Sequence, residues 1–88
     1  MQWEQSAVDK LDKLVQVVRD PFKEIIRNSA QSHAERDAAS LKRPHVTVKD
    51  AVLGFLRARS HKLNTEASMI LKEHGIDEKD FLNYDKSG

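Results

Sequence analysis

The feature that most constrains the fold is a helical spacing of apolar residues that continues on both sides of a proline. In LVQVVRDPFKEIIRNSA, apolar residues recur every three or four positions before and after Asp20-Pro21. Proline does not fit inside a straight helix, but the first helical position accommodates it because its missing N–H would have no partner there. We therefore predict that one helix ends near Val18 and that a second begins at Pro21, with Asp20 as its N-cap.

The first two predicted helices meet at a tight corner. The first is an amphipathic helix of about four turns that starts near Trp3. The second runs to about Ala38 or Ala39. Because the two helices cross, we predict that apolar side chains pack between them at the corner. We call this group the predicted elbow; it consists of Val18, Phe22, Ile25 and Ile26.

Two more helices and a short turn are predicted after the irregular segment SLKRPHV. Thr47 and Asp50 are spaced as a capping box for a third helix, from Val48 to about Arg59. Gly54 in that helix costs about 1 kcal/mol relative to alanine and indicates a close contact between helices. The fourth helix, EASMILKEH, is predicted to begin after a Thr65 cap and to end at Gly75.

A last short helical turn is predicted after Asp77, which would cap it. The predicted fold class is therefore all-α, a compact bundle of four helices plus a short C-terminal helical turn, with residues 1–88 as a single domain. The predicted core is Trp3, Leu11, Leu14, Val18, Phe22, Ile26, Val52, Phe55, Leu56, Ile70 and Phe81.

The composition argues against several classes of protein. Charged residues make up 33% of the chain and the formal net charge is +1, whereas proteins that bind the DNA backbone usually carry a clear basic excess. The chain has no cysteine for a disulfide, a thiolate zinc site or an iron–sulfur cluster. MQWEQSAVDK lacks a basic segment followed by an apolar one, and no apolar run is long enough to cross a bilayer, so we expect a cytoplasmic protein with no membrane contact.

Catalytic and metal-binding motifs are not evident in the sequence. The histidines are far apart, and none forms an HExxH motif or a carboxylate–histidine pair at helical spacing. The three glycines form no phosphate loop, and no serine lies in a glycine-rich elbow. We expect no catalytic, cofactor-binding or metal-binding residues, no cofactor, and no enzymatic activity of the chain itself.

Basic residues gather in two places and are candidate contacts for nucleic acid or a partner. They are Lys42 and Arg43 in the predicted loop, and Arg57, Arg59 and Lys62 around the end of the third helix. The favoured interpretation is that these are ordinary solvent-exposed side chains. Acidic residues are spread through the chain, and no aromatic residues that could stack on bases accompany the basic ones. RPHVTVKDAV nevertheless resembles the loop and third helix of histone-fold proteins, in which basic loop residues contact phosphate.

A second resemblance covers roughly residues 3–58. Trp3, Ala7, Leu11 and Leu14, then the VVR step ending at Arg19, then Lys23, Ile26, Ala30 and VTVKDAV, are similar to a small helical domain of bacterial proteins. This domain forms the C-terminus of one subunit of light-independent (dark-operative) protochlorophyllide reductase and has stand-alone relatives. The resemblance implies an accessory domain, at most, of a reductase. Residues 59–88 would be an extra C-terminal helix and tail.

These observations favour a non-catalytic accessory or interaction domain that docks on a partner protein or associates with itself. That hypothesis predicts an exposed apolar patch around Leu41, Leu63 and Met69. The alternative is a histone-like nucleic-acid-binding protein, whose basic side chains should converge on one face and bind with strong salt dependence. A part in tetrapyrrole reduction would rest on the family resemblance alone.

Overall fold

The computed structural model describes residues 2–59 and 63–87, with side chains to residue 82, and its fold is the predicted all-α class. The helices are α1 (Gln5–Val15), α2 (Phe22–Ser40), α3 (Val48–Arg59), α4 (Thr65–Glu73) and α5 (Glu78–Ser87). The last of these is a full helix, longer than the predicted turn. Two short strands, β1 (Gln2–Trp3) and β2 (His45–Val46), pair in parallel, with Gln2 opposite His45 and Trp3 opposite Val46.

Helix α3 forms the centre of the molecule. Both α1 and α2 pack mainly against α3, and α4 and α5 follow it in the chain. Every residue of α3 from Asp50 to Arg57 is buried, so burial extends beyond the predicted core residues Val52, Phe55 and Leu56. Apolar residues occur on all sides of this segment, and its two charged residues, Asp50 and Arg57, have hydrogen-bond partners, so neighbouring elements can cover the whole helix. None of the helices in the described part of the chain is long and apolar enough to span a membrane.

Gly54 marks a close approach of α3 to α2, as predicted. A Cβ atom at this position would lie 2.5 Å from the carbonyl oxygen of Ala30 and 2.9 Å from the amide nitrogen of Ala34. Both are backbone atoms, so neither can rotate away. Helix α2 contributes small, fully buried side chains along this contact, namely Ala30, Ala34 and Ala38.

The N-termini of the helices confirm two predicted caps and correct two. Asp77 precedes α5, and its Oδ1 accepts from the Lys79 amide at 2.9 Å, as predicted. Thr47 and Asp50 form the capping box at α3, with the Thr47 amide donating to Asp50 Oδ2 at 3.1 Å. At α4 the cap is Asn64, whose Oδ1 accepts from the Ala67 amide at 2.7 Å, so the prediction of Thr65 was one residue late. At α2 none of the described side chains caps the helix, which begins directly after Pro21, and the Asp20–Pro21 peptide is cis.

The C-termini of α2 and α4 end in the same hydrogen-bond pattern. At α4 the Ile76 amide donates to the Leu71 carbonyl, and Gly75 supplies the left-handed conformation at φ +67°, which confirms the predicted stop. At α2 the Arg43 amide donates to the Ala38 carbonyl in the same way. Here the left-handed position is Lys42, at φ +58°.

Most predicted core residues are buried or pack against the core, but two residues of the predicted elbow do not. Phe22 and Ile25 are 60% and 62% exposed. The buried stripe of α2 begins only at Ala30, so the first turns of this helix extend past its contact with α3. Five of the predicted core residues are partly buried and pack against the core, namely Trp3, Leu14, Val18, Ile26 and Ile70.

Candidate functional site

Arg57, a predicted surface contact, lies inside the protein. Its Nη1 is 3.3 Å from Asp37 Oδ1 on α2, and its Nη2 donates to the backbone carbonyl of Asp80 at 2.9 Å. The guanidinium also lies over the ring of Phe81, 5.8 Å from the centroid. Arg57 therefore links α2, α3 and the start of α5, and its charge is not available to a phosphate.

Arg43 also turns inward, from the loop after α2. Its Nη1 donates to Asp50 Oδ1 at 2.7 Å and to Thr47 Oγ1 at 3.1 Å. Asp50 is fully buried, so the capping box of α3 and the partly exposed Arg43 form one charged cluster. Hydrogen bonds that Asp50 accepts from the arginine and from Thr47 offset the cost of burying its carboxylate.

Asp37 and Asp50 interact with each other, and their proton affinities are pushed in opposite directions. Burial raises the pKa of Asp37 from 3.8 to about 6, with a further contribution from its hydrogen bond to Asp50, and the charge of Arg57 opposes the rise. Burial would also raise the pKa of Asp50, but hydrogen bonds from Asp37 and Thr47 and the charge of Arg43 lower it below its usual range. Of the two carboxyl groups, Asp37 is therefore the one that takes up a proton first as the pH falls.

The remaining basic residues stay at the surface. Arg59 forms an ion pair with Glu66 and lies 5.7 Å from the centroid of the Phe55 ring. Lys42 is exposed at the end of α2, and Lys62 lies outside the described residues. Of the four predicted basic contacts that the structure describes, two thus stay exposed, Arg57 is buried, and Arg43 is half-buried and bound to a buried carboxylate. The sequence alone did not reveal this, because Asp37 and Asp50, the buried partners, have the spacing of ordinary surface and capping residues.

An apolar surface occurs at the corner between α1 and α2, where the sequence predicted core. Val17, Phe22 and Ile25 are 73%, 60% and 62% exposed, and we call them the corner surface. Phe22 and Ile25 lie one helical turn apart on α2, and Val17 precedes them across the turn. Charged residues of both signs flank these side chains, namely Arg19, Asp20, Lys23 and Glu24.

A cleft of about 240 Å³ opens between α1 and α2. We call it the hairpin cleft. It forms because α1 and α2 both pack mainly on α3 and touch each other little. The lining residues are Trp3, Val8, Leu11, Arg27 and Gln31.

The predicted apolar patch around Leu41, Leu63 and Met69 is found in part. Leu63 and Met69 line an open groove along α4, and Met69 is exposed. Leu41 is exposed as well but does not line this groove. The three exposed side chains of the corner surface, in contrast, come from one short stretch of chain.

Comparison with known proteins gives no relative from which a role can be inferred. No protein-family model, no curated protein and no solved structure matches this chain. The resemblance to the protochlorophyllide reductase domain therefore stays a prediction. Among residues 2–59 and 63–87, no group of three or more histidine or acidic side chains is arranged to hold a metal ion.

Proposed function

We propose that this chain is a protein-interaction domain that acts by docking, without turnover of a substrate, and that the corner surface is its contact site. The observation that carries the proposal is the exposure of Phe22 and Ile25, one helical turn apart on α2. A large aromatic and a large aliphatic side chain at the start of a helix gain free energy when a partner covers them. Exposed apolar side chains that lie together in this way are typical of protein contact sites.

The local charges fit a protein partner better than a nucleic acid. Segment 19–24 carries two basic and two acidic residues and has no net charge. Charged residues of both signs around the corner surface can orient a protein partner, but they create no positive field that would attract a phosphate backbone. The two arginines that turn inward, Arg43 and Arg57, also reduce the basic surface on which the nucleic-acid alternative depends.

A photoreactive amino acid tests the proposed site directly. We would place it at Ile25 in one variant and at Met69 in a control variant, because both side chains are exposed and apolar but lie on different surfaces. After irradiation in the native host, the Ile25 variant should give a discrete protein adduct, and the Met69 variant should not. The adduct is then identified by mass spectrometry and the contact is repeated with purified components.

Further results complete the test. Phe22→Ala combined with the Ile25 probe should abolish the adduct, since the aromatic anchor is gone. Equal adducts at Ile25 and Met69 would show non-specific contact and would contradict the proposal. Retention of the purified chain on duplex DNA, released by moderate salt, would support the nucleic-acid alternative instead. A role beside a reductase would need binding of a tetrapyrrole pigment by the purified chain.

A further inference from the structure

The buried carboxyl group of Asp37 is placed to carry a proton. Its Oδ2 atom is buried and accepts no hydrogen bond from a donor in the described part of the chain. The carboxylate of Asp50 lies within hydrogen-bonding reach and is held as an anion by Arg43 and Thr47. A proton on Asp37 gives the pair one donor and one acceptor, whereas its loss leaves two buried anions side by side.

Arg57 only partly compensates the charge of an ionised Asp37. Its Nη1 lies 3.3 Å from Asp37 Oδ1, beyond the range of about 2.7–2.9 Å that is usual for a charged hydrogen bond, and Nη2 is bound to the Asp80 carbonyl. Burial therefore outweighs the attraction, and the pKa of Asp37 rises to about 6. By linkage, any motion that lets water reach Asp37 becomes easier when the proton is lost.

The contact between α2 and α3 is not the place for such a motion. The backbones of the two helices meet at Gly54, and the side chains of Ala30 and Ala34 are fully buried there. Separating these helices would open the centre of the core, which amounts to unfolding the protein.

The start of α5 is held much more weakly. Two of its ties are exposed, the ion pair of Asp80 with Lys49 and the hydrogen bond that Glu78 accepts from Ser68, and exposed ties of this kind stabilise little. The stronger ties are the burial of Phe81 and the Arg57 hydrogen bond to the Asp80 carbonyl. Since Arg57 lies between α5 and Asp37, undocking of α5 would let water reach both charged side chains.

Other charged and titratable groups lie on the elements around Asp37. Histidines ordinarily titrate near pH 6.5, so those on α2 and β2 need control variants in any test of pH dependence. The groups are Asp12 on α1 with its partner Arg27 on α2, His33 and Glu35 on α2, Arg43 after it, His45 in β2 with its partner Glu4, Lys49, Asp50 and Arg57 on α3, and Asp80 on α5.

We propose that the docking of α5 is controlled by a proton in the interior: α5 is closed on the bundle while Asp37 is protonated, and it is released more readily when this proton is lost. Release uncovers Phe81 and the ion pair beneath it. The inference does not depend on the proposed function, because it involves no residue of the corner surface.

The direction and size of the effect follow from the two protonation equilibria of Asp37. Near pH 4 and below, Asp37 is protonated in the closed form and largely so in the open form, so it does not drive opening. As the pH rises through 6, the closed form loses its advantage in binding the proton. A shift of the pKa from 3.8 to about 6 allows a change of up to about 100-fold in the opening equilibrium.

Amide hydrogen exchange at the start of α5 tests the proposal, with rates corrected for the intrinsic effect of pH. We expect the protection of the Phe81 and Leu82 amides to fall at least tenfold between about pH 4.5 and 7.5, and to stay below that of the Phe55 amide in α3. Asp37→Asn, which is neutral at every pH, should remove the pH step and keep α5 closed. The controls His33→Gln, His45→Gln and Asp9→Asn should retain the step.

A carboxyl carbon titration of the wild type by NMR gives a second readout that needs no variant. Its midpoint for Asp37 should coincide with the step in α5 protection. The proposal is overturned if that protection does not change with pH, if the step survives in Asp37→Asn, or if either histidine variant abolishes it. Equal protection of α5 and α3 at every pH would also overturn it, because exchange would then occur only through global unfolding.

Discussion

The two halves of α2 are packed in opposite ways. The C-terminal half lies tightly against α3, with Ala30 and Ala34 in backbone contact with Gly54 and with Asp37 in a buried ion pair. The N-terminal half exposes Phe22 and Ile25, and Arg27 lines an open cleft between α1 and α2. The difference teaches that stability in this chain is concentrated at the α2–α3 contact, while the α1–α2 hairpin is free to present apolar surface to a partner.

We call the C-terminal half of α2, with its contact to α3, the tight half. Gly54→Ala acts at this contact and should lower the stability of the protein more than the other substitutions. Its Cβ would meet two backbone atoms of α2 at less than 3 Å, so the helices must separate, and we expect a loss of about 3 kcal/mol in the free energy of unfolding. Gly75→Ala is the matched control. It has open space around it but a positive φ, and it should cost only about 1 kcal/mol. Chemical denaturation measures both, and equal losses would show that steric contact at Gly54 is unimportant.

Asp37→Asn should stabilise the protein at neutral pH. Since burial raises the pKa of Asp37 from 3.8 to about 6, the folded state binds this proton more tightly than the unfolded chain does. Asp37 therefore stabilises the fold below about pH 4, and this contribution is lost as the pH rises through 6. The asparagine variant keeps the neutral form at every pH. It should exceed the wild type by up to about 3 kcal/mol at pH 8 and match it near pH 4.

The measurement for Asp37→Asn is denaturant unfolding at a series of pH values. Asp9→Asn, on the exposed side of α1, is the control and should change stability by less than about 0.5 kcal/mol throughout. A variant that is less stable than the wild type at pH 8 would contradict the direction given for the pKa of Asp37, and would show that the charge of its carboxylate is needed beside Arg57.

Arg57→Met should loosen α5 from the tight half. The substitution removes the donor to the Asp80 carbonyl and the cation over Phe81, and we expect a cost of about 2 kcal/mol. Amide hydrogen exchange should rise first at the start of α5. Arg59→Met removes an exposed ion pair and should have almost no effect. Similar losses from the two variants would mean that the interior contacts of Arg57 do not hold α5.

Local signals in the sequence predicted the helices and several of their ends well. They failed to predict burial where the partner of a side chain is distant in the chain. The capping box of Thr47 and Asp50, the stop at Gly75 and the close contact at Gly54 depend on local spacing or on a single residue type. The burial of Arg57 depends on Asp37, and nothing in the spacing of these two residues indicates that they meet. Helical periodicity likewise shows which face of α2 is apolar, but not that α3 covers only part of its length.

Phe22→Ala should distinguish the two halves of α2 most clearly, because we expect it to change the free energy of unfolding least. The ring is 60% exposed, and removing it should change the free energy of unfolding by no more than about 0.5 kcal/mol. Phe55→Ala is the control in the tight half, where the side chain is almost completely buried and its loss costs about 3–5 kcal/mol. Thermal and denaturant unfolding of both variants provide the measurement. A large loss for Phe22→Ala would place this residue in the core, as its helical spacing first predicted, and would leave the corner without its anchor for a partner.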